Sequence, residues 1–198
     1  MKIYDHIDEE ILNEIVKVLD SDGLIIFPTD TVYGIACNSF SDNAIKRLFN
    51  AKNRDFSKPI NVLTDSVEKI KLVASSINEK ETELVNKYLP GNLTIILDKK
   101  KDVSNLLTAN MPTIGVRIPN NDIALQILKA YPYPLATTSA NISGNKEGSK
   151  IEDFIKDFKD TVDIVIDSGE LYDLPSTIVR VEDNEIKVLR EGSLKIKH

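Results

Sequence analysis

Short apolar runs alternate with stretches of helical periodicity along the whole chain, and this alternation limits the folds open to it. Ile11, Leu12, Ile15, Val16 and Leu19 recur at helical spacing, and Gly23 is placed to stop that helix. The apolar run 24–27 follows and ends at Pro28. A second helix is expected over 41–52, opened by Ser41 or Asp42, with Ile45, Leu48 and Phe49 on its apolar side. A strand at 60–63, helices at 66–74 and 78–89, and strands at 93–98 and 114–118 continue the pattern, with Pro90-Gly91 ending the second of these helices. A helix at 122–130 and a strand at 134–138 come next. Ile151, Phe154, Ile155 and Phe158 mark a further helix, before strands at 162–167, 176–181 and 186–190. Asp183-Asn184 is a plausible turn between the last two. The order predicts an α/β or α+β sheet with covering helices. No linker, repeat or low-complexity tract divides the chain, so one domain over residues 1–198 is expected.

Composition removes whole classes of chemistry. The only histidines, His6 and His198, lie near the two ends, so a Ser-His-Asp or Cys-His nucleophile is not expected. The Cys/His clusters of a zinc site are also missing. Cys37 lies in the apolar, strand-like stretch 34–37 and reads as a small buried hydrophobe. As a lone cysteine it suits a reducing cytoplasm. No apolar run approaches the roughly 20 residues of a membrane span, and the first six residues carry no apolar signal core. The net charge of −6 argues against a surface that binds phosphate backbones everywhere, but leaves room for a local basic pocket.

The polar residues of interest cluster at the ends of the apolar strands, where open α/β sheets hold ligands. Residues 28–34, Pro-Thr-Asp-Thr-Val-Tyr-Gly, follow the first core strand and carry hydroxyls, a carboxylate and a phenol. Taken alone they could be an ordinary capped turn. Lys52, Arg54 and Lys58 form a dense run of cations in an acidic chain, suited either to a triphosphate or to a solvated loop. Arg117 interrupts an apolar strand and, if it faces inward, must be paired by a ligand carboxylate or by an internal Asp or Glu. Residues 136–144, Ala-Thr-Thr-Ser-Ala-Asn-Ile-Ser-Gly, offer hydroxyls and close backbone approach, or simply a polar turn. Pro175-Ser176-Thr177 and Arg190-Glu191-Gly192 lie at further strand ends. Neither the Gly-x-x-x-x-Gly-Lys-Ser/Thr loop nor the Gly-x-Gly-x-x-Gly turn is present, which excludes those two nucleotide sites.

Taken in order, the segments PTDTVYG at 28–34, Lys52-x-Arg54, KP at 58–59, PGNLT at 90–94, GVRIP at 115–119, TTSANISG at 137–144 and PSTIV at 175–179 resemble the YrdC family of threonylcarbamoyl-adenylate synthases. The resemblance implies a twisted mixed sheet with flanking helices around a large concave pocket. It also implies that L-threonine, bicarbonate and ATP are converted to threonylcarbamoyl-AMP and pyrophosphate, with Mg²⁺ on the phosphates. The product would pass to the tRNA threonylcarbamoyl transferase complex, with only weak direct tRNA binding. By resemblance, Lys52 and Arg54 are the expected catalytic contacts, and they would meet ATP with Lys58, Thr113, Ser139, Asn141 and Arg190. Threonine would lie between Thr31, Tyr33, Arg117, Thr137 and Ser176, with Arg117 forking its carboxylate, while Asp30 would set the loop rather than hold a metal-bound water. Three positions depart from the family pattern: Asn92 and Glu191 stand where proline is common, and Leu63 where many members have histidine. The rival expectation is a YciO-like or RNA-binding domain without synthase activity.

Overall fold

The structure, a computed structural model, describes residues 1–145, 149–171 and 174–196. Its centre is one ten-stranded mixed sheet in the order β1-β8-β2-β3-β7-β4-β6-β5-β9-β10. The strands are β1 (Lys2–Tyr4), β2 (Ile25–Phe27), β3 (Gly34–Asn38), β4 (Asn61–Leu63), β5 (Leu93–Asp98), β6 (Thr113–Arg117), β7 (Leu135–Ser139), β8 (Ile164–Ile166), β9 (Thr177–Glu182) and β10 (Glu185–Arg190). Among the described pairs, β1–β8, β2–β8, β4–β6 and β5–β9 are parallel and the rest antiparallel. The helices are α1 (Glu9–Asp20), α2 (Asp42–Ala51), α3 (Val67–Val73), α4 (Glu79–Tyr88), α5 (Asp122–Ala130) and α6 (Ile155–Phe158).

The helices start where the sequence supplies a cap. The side chains of Asp8, Ser41, Ser66, Asn78 and Asn121 each accept a hydrogen bond from a backbone N–H in the first turn of α1, α2, α3, α4 and α5, each typically contributing about 1 kcal/mol. Asp183 and Asn184, both at positive φ, form the β9–β10 turn, the conformation that two-residue hairpins prefer.

Two expectations change. Lys2–Tyr4 forms an edge strand beside β8 that periodicity alone did not reveal, because three half-exposed residues carry no pattern. The helix expected across 151–158 is broken into a 3₁₀ turn (Ile151–Asp153) and the short α6. Phe154, at φ −133° and ψ −14°, leaves the helical region and packs its ring against Tyr33 and Phe158. Tertiary contact overrides local propensity there.

The sheet's two faces are covered unequally, and this places the site. One face is closed throughout by α2, α3, α4 and α6, which bury Ile26, Ile35, Val62, Val116, Ile95 and Val179. The opposite face is covered by α1 and α5 only over β8, β2, β3 and β7, reaching Leu63 at β4. Beyond β4, over β6, β5 and β9, that face is the floor of an open cleft of about 630 Å³.

Candidate active site

The cleft is lined from several sequence segments at once: Thr29, Thr31 and Tyr33 from the β2–β3 loop, Arg54 and Lys58 from the α2–β4 loop, and Thr137 and Ser139 from β7. Arg117 ends β6, while Ser176 and Arg190 come from β9's approach and β10. The expected binding residues Thr31, Tyr33, Arg54, Lys58, Arg117, Thr137, Ser139, Ser176 and Arg190 therefore share one concavity, although they span 160 positions in sequence.

The two ends of the cleft differ electrostatically. At one end Arg54 donates from Nε to Lys58 O at 3.2 Å and from Nη2 to Pro59 O at 2.8 Å. Burial lowers its pKa from the ordinary guanidinium value, with no acid offsetting it. Among the described residues no carboxylate pairs with Arg54, and the exposed Lys58 has the Asp55 charge near it without a salt bridge. A partly desolvated, unneutralised cation is suited to an anion arriving from solution.

At the other end Arg117 is 6% exposed. Its Nη2 donates to Asp30 Oδ1 at 2.6 Å and Asn92 Oδ1 at 2.9 Å, its Nε to Gly91 O at 3.0 Å, and its Nη1 to Thr31 Oγ1 at 3.0 Å. Of the two partners the sequence left open, the internal acid is the one present. The expected free fork for a ligand carboxylate is thus corrected: a buried cation needs a standing counter-charge, and one of the five guanidinium hydrogens is left for a ligand. Asp30 is the standing counter-charge to Arg117. Asn92 also donates to Ser193 Oγ at 2.7 Å, tying this cluster to the segment after β10.

Three further expected residues stand elsewhere than in the cleft lining. Lys52 is 1% exposed, and its ammonium donates to Ser139 O, to Asn141 O at 2.6 Å and to Asn141 Oδ1 at 3.4 Å. It fastens the loop that follows β7 from behind. Asn141 is buried with it, donating to Ile142 O and Asn145 O and accepting from Ser139 Oγ at 2.6 Å. Thr113 begins β6 opposite Asp98, four residues from Arg117, roughly 13 Å along a strand. Thr113 is not among the residues that line the cleft.

Tyr33 lines the cleft with its ring, but its hydroxyl is committed. It donates to Gly169 O at 2.7 Å, accepts from Ser168 N at 2.9 Å, and burial pushes the phenol pKa up. Its work is to hold residues 167–169 in place. Thr137 donates to Leu135 O, and Ser176 shares a 2.8 Å hydrogen bond with Thr94. Arg190 donates twice to Ser176 O. Cys37 is buried, and burial raises its thiol pKa well above the usual range, so it offers no thiolate. Thr29, Asn61, Thr94, Ile96 and Ile178 also line the cleft without having been singled out in the sequence. Thr29, Thr94 and Ile178 fall within the segments 28–34, 90–94 and 175–179, whereas Asn61 and Ile96 sit in ordinary strand text with no motif to mark them.

A family model named for Sua5, YciO and YrdC, and described as telomere recombination, matches residues 17–192. The chain belongs to the Sua5/YciO/YrdC family. A Methanocaldococcus jannaschii protein provisionally named threonylcarbamoyl-AMP synthase is 36% identical over all of this chain and 94% of its own length. Threonylcarbamoyl-AMP synthase of Pyrococcus abyssi is 34% identical over 88% of this chain, which covers 52% of that protein. The structure of P. abyssi Sua5 complexed with L-threonine superposes with a TM-score of 0.91 at 31% identity, over 98% of this chain and 57% of the other. Escherichia coli YciO superposes at 0.87 with 26% identity, over 99% and 96%. The chain thus spans about half the length of the Pyrococcus relative and nearly all of the Methanocaldococcus one. No helix among the described residues is long and apolar enough to cross a membrane.

Proposed function

We propose that this Sua5/YciO/YrdC chain is a threonylcarbamoyl-AMP synthase. The observation that carries the reading is the two-ended cleft, with Arg54, which has no acidic partner, and Lys58 at one end and a hydroxyl-rich pocket around Arg117 at the other. One end suits polyphosphate and the other a small zwitterion with a side-chain hydroxyl. The Pyrococcus relative that binds L-threonine, and the relatives named for the synthase activity, support the same assignment. They do not favour the YciO-like alternative.

The reaction asks little of side-chain acids and bases. Threonine's free amine and bicarbonate give a carbamate and water. A carbamate oxygen then bonds to the α-phosphorus of ATP, and the electron pair of the breaking P–O bond leaves with pyrophosphate. No enzyme nucleophile takes part, which matches a chain whose histidines lie near its ends and whose cysteine is buried. The protein's share is placement, charge neutralisation and exclusion of water. Arg54 and Lys58 would face the phosphates, with Ser139 beside them, while Arg190, bonded to Ser176 O, would brace the other end. Thr31, Thr137, Ser176 and the remaining Arg117 N–H would surround threonine, while Lys52, Asn141 and Tyr33 would shape the walls. Magnesium would enter with the nucleotide, as MgATP. The labile product would pass to an enzyme that carries the threonylcarbamoyl group to tRNA.

Pyrophosphate release, measured with threonine and bicarbonate omitted in turn, tests the reading. The expected result is release that needs both; release needing neither would indicate a nucleotide hydrolase instead. Arg54→Ala is expected to lower turnover by about 10², as for loss of one preorganised charge contact. Near-normal turnover would remove Arg54 from the phosphate site.

A further inference from the structure

Asn61 opens β4 on the cleft floor, half-buried, and its side chain forms no hydrogen bond among the described residues. Asparagine is disfavoured in strands, and here it stands next to Ile60 and Val62 in the core. Its position depends on a neighbour. A Cβ added at Gly115, on the adjoining strand β6, would lie 2.1 Å from Asn61 Oδ1 and 2.8 Å from its Cγ. The carboxamide therefore lies across β6 in space that only glycine leaves open. Other polar side chains of the floor are committed: Thr137 to Leu135 O, and Thr94 and Ser176 to each other.

Its place along the strand is equally specific. Just before β4, the carbonyls of Lys58 and Pro59 accept from Arg54. Two residues beyond Asn61, Leu63 pairs with Arg117. Asn61 is thus about 7 Å along the strand from each end, at roughly 3.3 Å per residue. In the synthase reaction the group that must lie between the phosphates and the amino acid is the one-carbon unit from bicarbonate.

We propose that Asn61 is the binding residue for that unit, holding bicarbonate and then the carbamate formed from it; the proposal rests on the synthase reading. Nδ2–H would donate to a carbamate oxygen and Oδ1 would accept from the carbamate N–H. A neutral carboxamide suits the step. A lysine would draw down the electron pair that must attack phosphorus, and a carboxylate would repel both bicarbonate and carbamate. Asn61 neither takes nor gives a proton, and the bonds made and broken are those of the synthase reaction itself.

The test is steady-state pyrophosphate release by the full chain with bicarbonate, ATP and threonine each varied in turn while the other two are saturating, for wild type, Asn61→Ala and Asn61→Asp. Asn61→Asp keeps the shape seated over Gly115, so it guards against a folding defect, and thermal melting checks both variants. The expected result is a bicarbonate KM raised about tenfold or more in each, the size of one lost hydrogen bond, with the ATP and threonine KM values within about threefold of wild type. An unchanged bicarbonate KM in Asn61→Asp, or a loss falling on ATP or threonine instead, would overturn the assignment while wild type remains a synthase. A wild type that releases pyrophosphate without bicarbonate would overturn the synthase reading and this proposal together.

Discussion

Replacing Lys52 by methionine should lower turnover by about 10²–10³ and also lower stability by about 3 kcal/mol. The double effect follows from where the ammonium sits. It is buried behind the loop that follows β7 and donates to two backbone carbonyls, Ser139 O and Asn141 O, and to the Asn141 side chain. The Lys52 carbonyl in turn accepts from Ser143 N at 2.9 Å. Methionine keeps the apolar stem but leaves these acceptors short of a charged donor in a buried place, where each such hydrogen bond contributes about 1.5–3 kcal/mol. The loop then loses the geometry that presents Ser139 to the cleft, and a displacement of about 1 Å can cost 10² in rate. Melting temperature and turnover should be measured on the same preparation. Lost turnover with an unchanged melting temperature would mean that the ammonium acts on substrate directly.

Arg117→Ala should be the most destabilising change in the cleft, costing about 3–5 kcal/mol, because it strands Asp30 in a nearly enclosed position. The Arg117 and Asp30 side chains are 7% and 12% exposed, so water would do little to offset the loss. Gly91 O, Thr31 Oγ1 and Asn92 Oδ1 lose a donor at the same time. Surviving enzyme should show a raised threonine KM, since the Thr31 loop and the last free guanidinium N–H both border that end. Arg117→Lys keeps the charge but not the fork, and should recover only part of the stability. Removing Asp30 as well should restore stability relative to Arg117→Ala, because no unpaired charge then remains. A double variant no more stable than Arg117→Ala would show that the carboxylate is not the source of the cost.

Much of this arrangement was legible in the sequence because period and punctuation act locally. The cap at Ser41, the Asp183-Asn184 turn and the run of core strands each rest on neighbours within a few residues. The segments that carry the family resemblance also line most of the cleft. What escaped was the direction of long side chains and the use of space between strands. Lys52 and Arg54 are two residues apart, yet one ammonium turns inward to carbonyls while its neighbour faces the cleft. Only the path of residues 139–141 decides this, and that path is set by β3–β7 pairing across a hundred positions. Thr113 and Arg117 share a motif-rich strand, but only Arg117 is among the residues that line the cleft. Asn61 was unreadable because its meaning lies in Gly115, more than fifty residues away.

The half-covered face of the sheet has a thermodynamic consequence. Over β8 to β4, helices α1 and α5 supply an outer layer; over β6, β5 and β9 no helix among the described residues does, and Ile96, Ile178 and Leu189 line the cleft. Nucleotide and amino acid would complete that layer as a helix does elsewhere, so binding and folding draw on the same surface. By linkage, a ligand at a hundred times its dissociation constant adds about 2.7 kcal/mol to the folded state. The heat resistance of this chain would then follow its cargo, and a melting curve would serve as a gauge of occupancy.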